Sequence, residues 1–231
     1  MLAFDHVSYA YAHRPALTDV SFEIGPGITG LLGVNGAGKS TALRLAVGEL
    51  RADSGAVRVG DAAPDAPALV GYCPQTVVLP KQLRVAEFLD YLAWLRKVPK
   101  RCRREVVEEA LAWADLAERR HDRLGSLSGG MVRRLAIAQA VMGGPELLLL
   151  DEPTTGLDPE QRARIRALLA RLPTDAAVLL SSHIVEDIAA LASSTLVLSE
   201  GRVVRRFDAA EVAASGRTLE ELFLSTITRA A

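Results

Sequence analysis

A glycine-rich segment that ends in a lysine and two hydroxyl residues could hold the phosphates of a nucleotide. Residues 33–41 read Gly-Val-Asn-Gly-Ala-Gly-Lys-Ser-Thr and fit the pattern G-x-x-x-x-G-K-[ST]. Glycines let backbone N–H groups approach phosphate oxygens closely, and the helix expected to follow adds a partial positive charge. We expect Lys39 to reach the β- and γ-phosphates and the Ser40 hydroxyl to ligate Mg²⁺. The residues predicted to bind the nucleotide here are Asn35, Gly36, Ala37, Gly38, Lys39, Ser40 and Thr41.

Two adjacent carboxylates follow an apolar segment that is predicted to be a strand. Four leucines at positions 147–150 precede Asp151 and Glu152. Successive strand residues point to opposite faces, so the two carboxylates can have different roles. Asp151 would act through Mg²⁺, directly or through a water, and Glu152 would polarise the water that attacks the γ-phosphate. Without a phosphate loop in the same chain, a solvent-facing pair before Pro153 would be the simpler interpretation.

Strands and helices alternate along the chain, which predicts an α/β fold with a largely parallel sheet. The phosphate loop lies between a predicted strand at 28–32 and a helix that continues to Val47. A tight turn at Glu200-Gly201 should lead into a last strand. Other strands are predicted at 2–7, 20–24, 57–59, 70–73, 147–150, 177–180, 195–198 and 202–207, and other helices at 159–172 and 184–191.

The stretch from residue 85 to residue 117 changes to a helical pattern. It predicts helices at 85–96 and 104–116, separated by a basic hinge that contains Pro99. We therefore expect one domain, residues 1–231, with an α/β core at 1–84 and 145–231 and a helical subdomain at roughly 85–144. The basic residues could face lipid headgroups or a membrane partner, but we favour a solvated connection. They are Lys97, Lys100, Arg101, Arg103 and Arg104.

Composition limits the classes of protein to which the chain can belong. With 231 residues, 49% of them hydrophobic, it can bury a full core. Its 27 Lys and Arg against 28 Asp and Glu give no basic field, so nucleic acid is not expected as a partner. Cys73 and Cys102 lack metal-ligand spacing and are expected to be reduced thiols. Because the N-terminus lacks a signal-peptide pattern and no apolar run approaches about 20 residues, we expect a soluble chain.

Two further motifs resemble those of the ATP-binding subunit of an ABC transporter, and the resemblance covers almost the whole chain. Residues 127–130 read Leu-Ser-Gly-Gly and match the signature turn of the family, and residues 156–158, Gly-Leu-Asp, match the loop that crosses the dimer interface. The resemblance implies an α/β P-loop NTPase core with a mostly parallel sheet, an N-terminal antiparallel β region and an inserted helical subdomain.

The resemblance also implies how two subunits share ATP. Two ATP molecules would lie between subunits arranged head to tail, each held by one phosphate loop and by the other subunit's signature turn. The turn residues that would contact ATP are Ser128, Gly129 and Gly130. Asp158 would lie at the interface, and because it precedes Pro159 it could also cap a helix.

Three single residues match other positions of the family. Tyr11 resembles the aromatic residue that stacks on adenine, with Tyr9 as a competing candidate. Gln75 resembles the glutamine that senses Mg²⁺ and the attacking water, and His183 resembles the switch histidine that contacts the γ-phosphate. Alone, each could be a strand-edge aromatic, a polar loop residue or a helix cap. Their order along the chain favours the functional interpretation.

One position departs from the family pattern. The fifth residue of the signature is usually glutamine and is Met131 here. The expected phosphate contacts come from the Ser128 hydroxyl and from backbone N–H groups, which do not depend on residue 131. We expect binding of ATP across the dimer to persist, and the effect on turnover is left open.

The resemblance implies a separate transmembrane permease as partner, a homodimer or heterodimer of ATPase subunits, and a peripheral position on the cytoplasmic face of the membrane. Residues 182–187 and the short C-terminal segment 218–224 resemble those of exporter ATPases, and an importer ATPase is the near alternative. A non-transport ABC ATPase that acts on a soluble complex is a second alternative. A module without useful turnover is a third, against which Glu152 and His183 argue. The transported substrate is not encoded in this chain.

Overall fold

The protein is described by a computed structural model over residues 1–60, 70–173 and 175–230. The predicted core segment 1–84 includes residues 61–69, which lie outside the described residues. The strands are β1 (Leu2–Tyr11), β2 (Arg14–Ile24), β3 (Gly27–Leu32), β4 (Ser54–Val59), β5 (Val70–Cys73), β6 (Leu147–Asp151), β7 (Ala177–Ser182), β8 (Ser194–Ser199) and β9 (Arg202–Asp208). The α-helices are α1 (Lys39–Ala46), α2 (Val85–Leu95), α3 (Lys100–Trp113), α4 (Gly129–Val141), α5 (Pro159–Leu169), α6 (Val185–Leu191), α7 (Ala209–Ala214) and α8 (Leu219–Ala230).

The N-terminal strands form a small antiparallel sheet in the order β2-β1-β4. Strands β1 and β2 are longer than the predicted 2–7 and 20–24 because they pair as a hairpin as far as Tyr11 and Arg14. The turn consists of Ala12 and His13, whose φ angles of 42° and 73° suit a two-residue hairpin turn with left-handed backbone. The hairpin therefore brings Tyr11 and Arg14 to the same end of the sheet.

The larger sheet has six strands in the order β5-β6-β7-β3-β8-β9. All neighbours are parallel except β8 and β9, which the predicted turn at Glu200 and Gly201 joins as an antiparallel hairpin. Ligands of such sheets bind beyond the carboxyl ends of the strands. The phosphate loop follows β3 there, and Gln75, Asp151 and His183 lie at the ends of three neighbouring strands.

Alternating leucines of β6 pack against opposite layers of the protein. Leu147 and Leu149 belong to the core shared with the small sheet and α1, whereas Leu148 and Leu150 belong to the core on the other face with α5. This explains why residues 147–150 of β6 are all leucine, since a parallel strand covered on both faces buries every side chain. The burial fixes the position of the carboxylates that follow.

Helices α2, α3 and α4 share a third apolar core that includes Leu89, Leu111 and Leu135. Helix α3 begins at Lys100, so the predicted basic hinge is wrong for most of its residues, which lie in the first turns of the helix. Pro99 occupies the N-cap position, because proline is tolerated at the start of a helix but not inside it. The predicted helices 104–116 and 159–172 end earlier, at Trp113 and Leu169.

The predicted fold class is confirmed by these elements: a mostly parallel six-stranded sheet, an N-terminal antiparallel sheet and a helical region between β5 and β6. Over the described part of the chain, no helix has the length and apolarity needed to cross a membrane.

Candidate nucleotide-binding and catalytic site

The phosphate loop joins the end of β3 to the first residue of α1. Gly38 precedes the helix with φ 105°, and a Cβ at this position would lie 2.5 Å from the carbonyl oxygen of Ala16. Only glycine avoids both the unfavourable backbone angle and the contact. The loop can therefore pass close to β2 and still place the N-terminus of α1 beside the cleft.

Lys39 is almost fully buried at the start of α1, with 4% of its surface exposed. Its Nζ donates to the carbonyl oxygens of Gly33 at 2.8 Å and Val34 at 3.2 Å. It also lies 3.2 Å from Oε1 of Glu152, which is equally buried. The ammonium group is thus paired within the protein by two carbonyls and one carboxylate.

Asp151 is held at the end of β6 by the neighbouring strand. Its Oδ1 accepts a hydrogen bond from the Ser181 hydroxyl at 2.7 Å, and Ser181 lies opposite Asp151 in the register of β6 and β7. Burial raises the pKa of Asp151 more than the hydrogen bonds from Ser181 and Ser40 lower it. Sequence reasoning did not single out Ser181, although its place two residues before His183 could have suggested a role at the strand end.

Glu152 lies at the centre of the predicted catalytic residues. Its Oε2 accepts hydrogen bonds from Thr155 Oγ1 at 2.9 Å and Gln75 Nε2 at 3.3 Å, and it lies 3.0 Å from His183 Nδ1. Burial by itself raises the pKa of Glu152, but the hydrogen bond from Thr155 and the charge of Lys39 outweigh it, so the pKa lies below its ordinary value. The side chain is therefore a carboxylate at neutral pH.

The backbone of Glu152 supports the same placement. Its φ is 46°, in the left-handed region that costs a non-glycine residue roughly 1–3 kcal/mol and that often occurs at functional sites. The N–H of Glu152 donates to the Ser181 hydroxyl at 3.0 Å, which holds this conformation.

The phosphate loop, Gln75, Glu152 and His183 line one cleft of about 690 Å³, a size suited to a nucleotide. Asp151 is buried and is not among the residues that line it. The cleft is also lined by four residues that the sequence motifs do not include: Arg14, Pro15, Ala16 and Thr155. The predicted residues that line the cleft are Tyr11, Asn35, Gly36, Gly38, Lys39, Ser40, Thr41, Gln75, Glu152 and His183.

The two tyrosine candidates for the adenine platform have different surroundings. Tyr11 lines the cleft and is 40% exposed, and its hydroxyl accepts a hydrogen bond from Arg44 at 3.3 Å. Tyr9 packs against the core next to the small sheet and meets the Tyr11 ring edge to face at 4.9 Å. Tyr9 thus supports the Tyr11 ring from the side, and Tyr11 is the better placed for stacking.

The signature turn lies apart from this cleft, since none of the described residues lining the cleft comes from it. Ser128 and Gly129 are exposed, and the Ser128 hydroxyl caps α4 by accepting from the N–H of Met131 at 3.4 Å. Gly130 is buried and packs closely against the side chain of Gln161 in α5. Asp158 is exposed as the N-cap of α5, and its Oδ1 accepts from the N–H of Gln161 at 2.8 Å.

A phosphate loop after β3 and an acidic residue at the end of β6, two strands away in the same parallel sheet, define a P-loop nucleoside triphosphatase. Residues 17–155 match the sequence model of the ABC transporter family. The chain belongs to this family, as an ATP-binding subunit, and the predicted family and ATPase class are confirmed.

Two relatives are similar over most of the chain. One is the uncharacterized ABC transporter ATP-binding protein YxlF of Bacillus subtilis, with 34% identity over 205 residues that make up 88% of this chain and 69% of the relative. The other is the Nod factor export ATP-binding protein I of Paraburkholderia xenovorans, with 38% identity over 214 residues and the same two coverages, 88% and 69%.

Solved structures also resemble this fold. An ATP-binding subunit of an ABC transporter superposes with a TM-score of 0.87 at 28% identity, covering 98% of this chain and 99% of that one. A dimeric ATP-binding cassette in a post-hydrolysis state, bound to ADP and Pi, has a TM-score of 0.80 at 23% identity over 90% of this chain and 99% of that chain. At 23% identity, the similarity to this dimeric cassette shows a shared fold alone.

Proposed function

We propose that two such subunits close around ATP, hydrolyse it and thereby drive export through a separate membrane permease. The observation that carries the proposal is the position of Glu152. One carboxylate lies within 3.3 Å of side-chain atoms of Lys39, Gln75, Thr155 and His183, at the wall of a nucleotide-sized cleft. This is the arrangement expected for a residue that acts on water next to a phosphate.

Lys39 and Glu152 would exchange partners when ATP binds. In the free protein the ammonium group pairs with Glu152, and a phosphate oxygen is a stronger competitor because it carries more charge. Once Lys39 turns to phosphate, Glu152 keeps its contacts to Gln75 and His183 and becomes free to accept a hydrogen bond from water. The hydrogen bond from Thr155, which also lowers the pKa of Glu152, does not depend on Lys39 and remains to favour the ionised carboxylate.

The residues at the end of β6 suit Mg²⁺. Mg²⁺ binds oxygen atoms and is usually held by one or two carboxylates together with substrate phosphates. Asp151 is a buried carboxylate that accepts a hydrogen bond from Ser181, and a cation would offset the cost of burying its charge. We therefore assign Ser40, Asp151 and Gln75 to the ion, which when bound would neutralise charge on the phosphates. Among the described residues, no cluster of three His, Cys, Asp or Glu could hold a metal unaided.

Two observations support a composite site. The turn at Ser128-Gly129 lies outside its own subunit's cleft and is exposed at the N-terminus of α4, a helix of 13 residues. Helix N-termini of this kind attract phosphate. We propose that this turn meets the γ-phosphate bound by the other subunit, with Asp158 beside it. ATP would then favour the closed dimer, and loss of the γ-phosphate would remove that preference.

An exposed apolar face of α2 supports docking to a membrane protein. Tyr91, Trp94 and Leu95 have the spacing that places them on one side of the helix, and each is about half exposed. Aromatic side chains grouped in this way are enriched at protein interfaces. We propose that the permease covers this face and holds the subunit at the cytoplasmic side of the membrane. The names of the Nod factor export relatives favour export over import.

Affinity purification in mild detergent tests the partner. The chain is isolated from its native cells, and the proteins that accompany it are identified by mass spectrometry. We expect a polytopic membrane protein that is lost with Trp94→Ser and retained with Leu224→Ser, a matched change at an equally exposed position on α8. Recovery of ribosomes or soluble assembly factors instead would contradict the transport assignment, and a permease with a dedicated extracellular binding protein would favour import.

A further inference from the structure

Helix α4 packs against the backbone of β5, the edge strand of the large sheet. Gly71 of β5 permits the approach, because a Cβ there would collide with the carbonyl oxygen of Ala140 in α4. Gln139 of α4 donates from Nε2 to the carbonyl oxygen of Tyr72 at 2.9 Å. The helix thus supplies hydrogen bonds to an edge that no further strand covers in the described sheet.

Arg133 extends this attachment to the loop after β5. Its two terminal nitrogens donate to the carbonyl oxygens of Pro74 at 2.9 Å and Gln75 at 2.7 Å. The planar guanidinium therefore holds two consecutive carbonyls of the loop in a fixed geometry, with one nitrogen for each, whereas a lysine would hold them through a single flexible ammonium group. Hydrogen bonds from a charged donor are stronger than those between neutral groups.

The two ends of this connection lie at chemically important positions. On one side, the Gln75 amide reaches Glu152 at 3.3 Å. On the other, Arg133 follows Ser128, the N-cap of α4, by five residues, so that it lies on the same rigid helix as the signature turn. Arg133 thus connects α4 to the backbone of Gln75 directly, through no residue of the phosphate loop.

We infer that Arg133 is a positioning residue that fixes Gln75 beside Glu152 and makes the Gln75 loop move together with the signature helix. The inference rests on the proposed function, because it concerns how the site senses the second subunit. Arg133 does not line the ATP cleft. Its loss should therefore affect turnover and leave binding of ATP to the single subunit nearly unchanged.

Two measurements test whether Arg133 affects turnover without affecting ATP binding: steady-state ATP hydrolysis, and ATP binding by the single subunit. We expect Arg133→Met to lower kcat about ten-fold, as a small misplacement of a reacting group does, and to change the dissociation constant less than about two-fold. Arg133→Lys should recover part of the loss. Arg101→Met, at an exposed position on α3, is the matched control and should behave as the unaltered protein. The inference would be overturned if Arg133→Met weakened ATP binding as much as it lowered kcat, or if it changed neither.

A double-mutant cycle shows whether Arg133 acts through Gln75. If it does, Arg133→Met should have little further effect on kcat once Gln75→Ala is present. The same fold-loss in both backgrounds would mean that Arg133 acts by another route, and the inference would be wrong.

Amide hydrogen exchange measures the attachment without turnover. Exchange of the amide hydrogens of residues 75–78 should become faster in Arg133→Met, and exchange in the phosphate loop should stay unchanged. Unchanged exchange would refute the attachment even if the protein hydrolyses ATP. Faster exchange in a protein that shows no hydrolysis would instead refute the proposed function and leave the attachment of the loop intact.

Discussion

Replacement of Glu152 by glutamine removes the charge at the centre of the site and little else. The amide keeps an oxygen that can accept from Thr155, and the shape of the side chain is almost unchanged. A positioned general base contributes about 10²–10⁴-fold to a rate. We therefore expect Glu152→Gln to lower the rate of ATP hydrolysis at least about 100-fold.

The same substitution should not weaken ATP binding. In the free protein Glu152 competes with phosphate for Lys39, since the two side chains form an ion pair at 3.2 Å with both groups buried. Removing even about 1.4 kcal/mol of this competition corresponds to a ten-fold gain in affinity. We expect ATP to bind Glu152→Gln as tightly as the unaltered protein or more tightly.

The substitution should also cost some stability in the absence of nucleotide. Breaking a buried ion pair costs about 3–5 kcal/mol when the remaining charge has no other partner. Lys39 keeps the carbonyls of Gly33 and Val34, so we expect a smaller loss of about 1–2 kcal/mol. For a chain of this size that lowers Tm by about 2–8 °C.

Phosphate release, calorimetric ATP binding and thermal unfolding measure the three effects. Glu160→Gln is the matched control, because it removes an exposed carboxylate of α5 that pairs with Arg164 on the surface. Turnover of Glu152→Gln close to that of the control would remove Glu152 from the chemical step. Loss of ATP binding together with turnover would show that the competition with Lys39 does not exist.

Three further predictions concern single side chains. Lys39→Ala should weaken binding of ATP itself by removing the buried ammonium, and unchanged affinity in a calorimetric titration would count against the loop assignment. Asp151→Asn should raise Tm without nucleotide: the raised pKa of Asp151 means that the ionised carboxylate costs stability at neutral pH, a cost that fades as pH falls below the folded-state pKa. Melting curves from pH 7 downward should show this gain shrinking, and a lower Tm at pH 7 would contradict it. A maleimide reagent should modify Cys102 before Cys73, because Cys73 is fully buried and burial raises its pKa to about 11. Equal rates of labelling by mass spectrometry would argue against this packing.

Most of the site could be predicted because its residues follow apolar strands. The run at 147–150 is a strand with both faces buried, and the phosphate loop follows another, so their carboxyl ends meet at one edge of the sheet. The prediction that Glu152, Gln75 and His183 act together depended on the order of the motifs, and the structure brings their side chains together.

Other features depend on contacts between distant segments and could not be read from local patterns. Arg14 reaches the cleft only because β1 and β2 pair along their full length. Ser181 supports Asp151 through the register of two strands that lie 30 residues apart in sequence. Arg133 belongs to no local motif, and its contacts with the loop after β5 arise only because α4 packs against β5. The start of α3 was misplaced because a run of basic residues can be either a hinge or a first helical turn.

In the proposed composite site, ATP joins two subunits through the signature turn of each. Sedimentation of the Glu152→Gln variant, with Mg²⁺ and either ATP or ADP present, measures whether the subunits dimerise. A parallel sample carries Ser128→Arg in addition to Glu152→Gln. We predict a dimer holding two ATP molecules, a monomer with ADP, and a monomer that still binds ATP when Ser128→Arg is present. A protein that stays monomeric with ATP, or a dimer that persists with Ser128→Arg, would contradict the account.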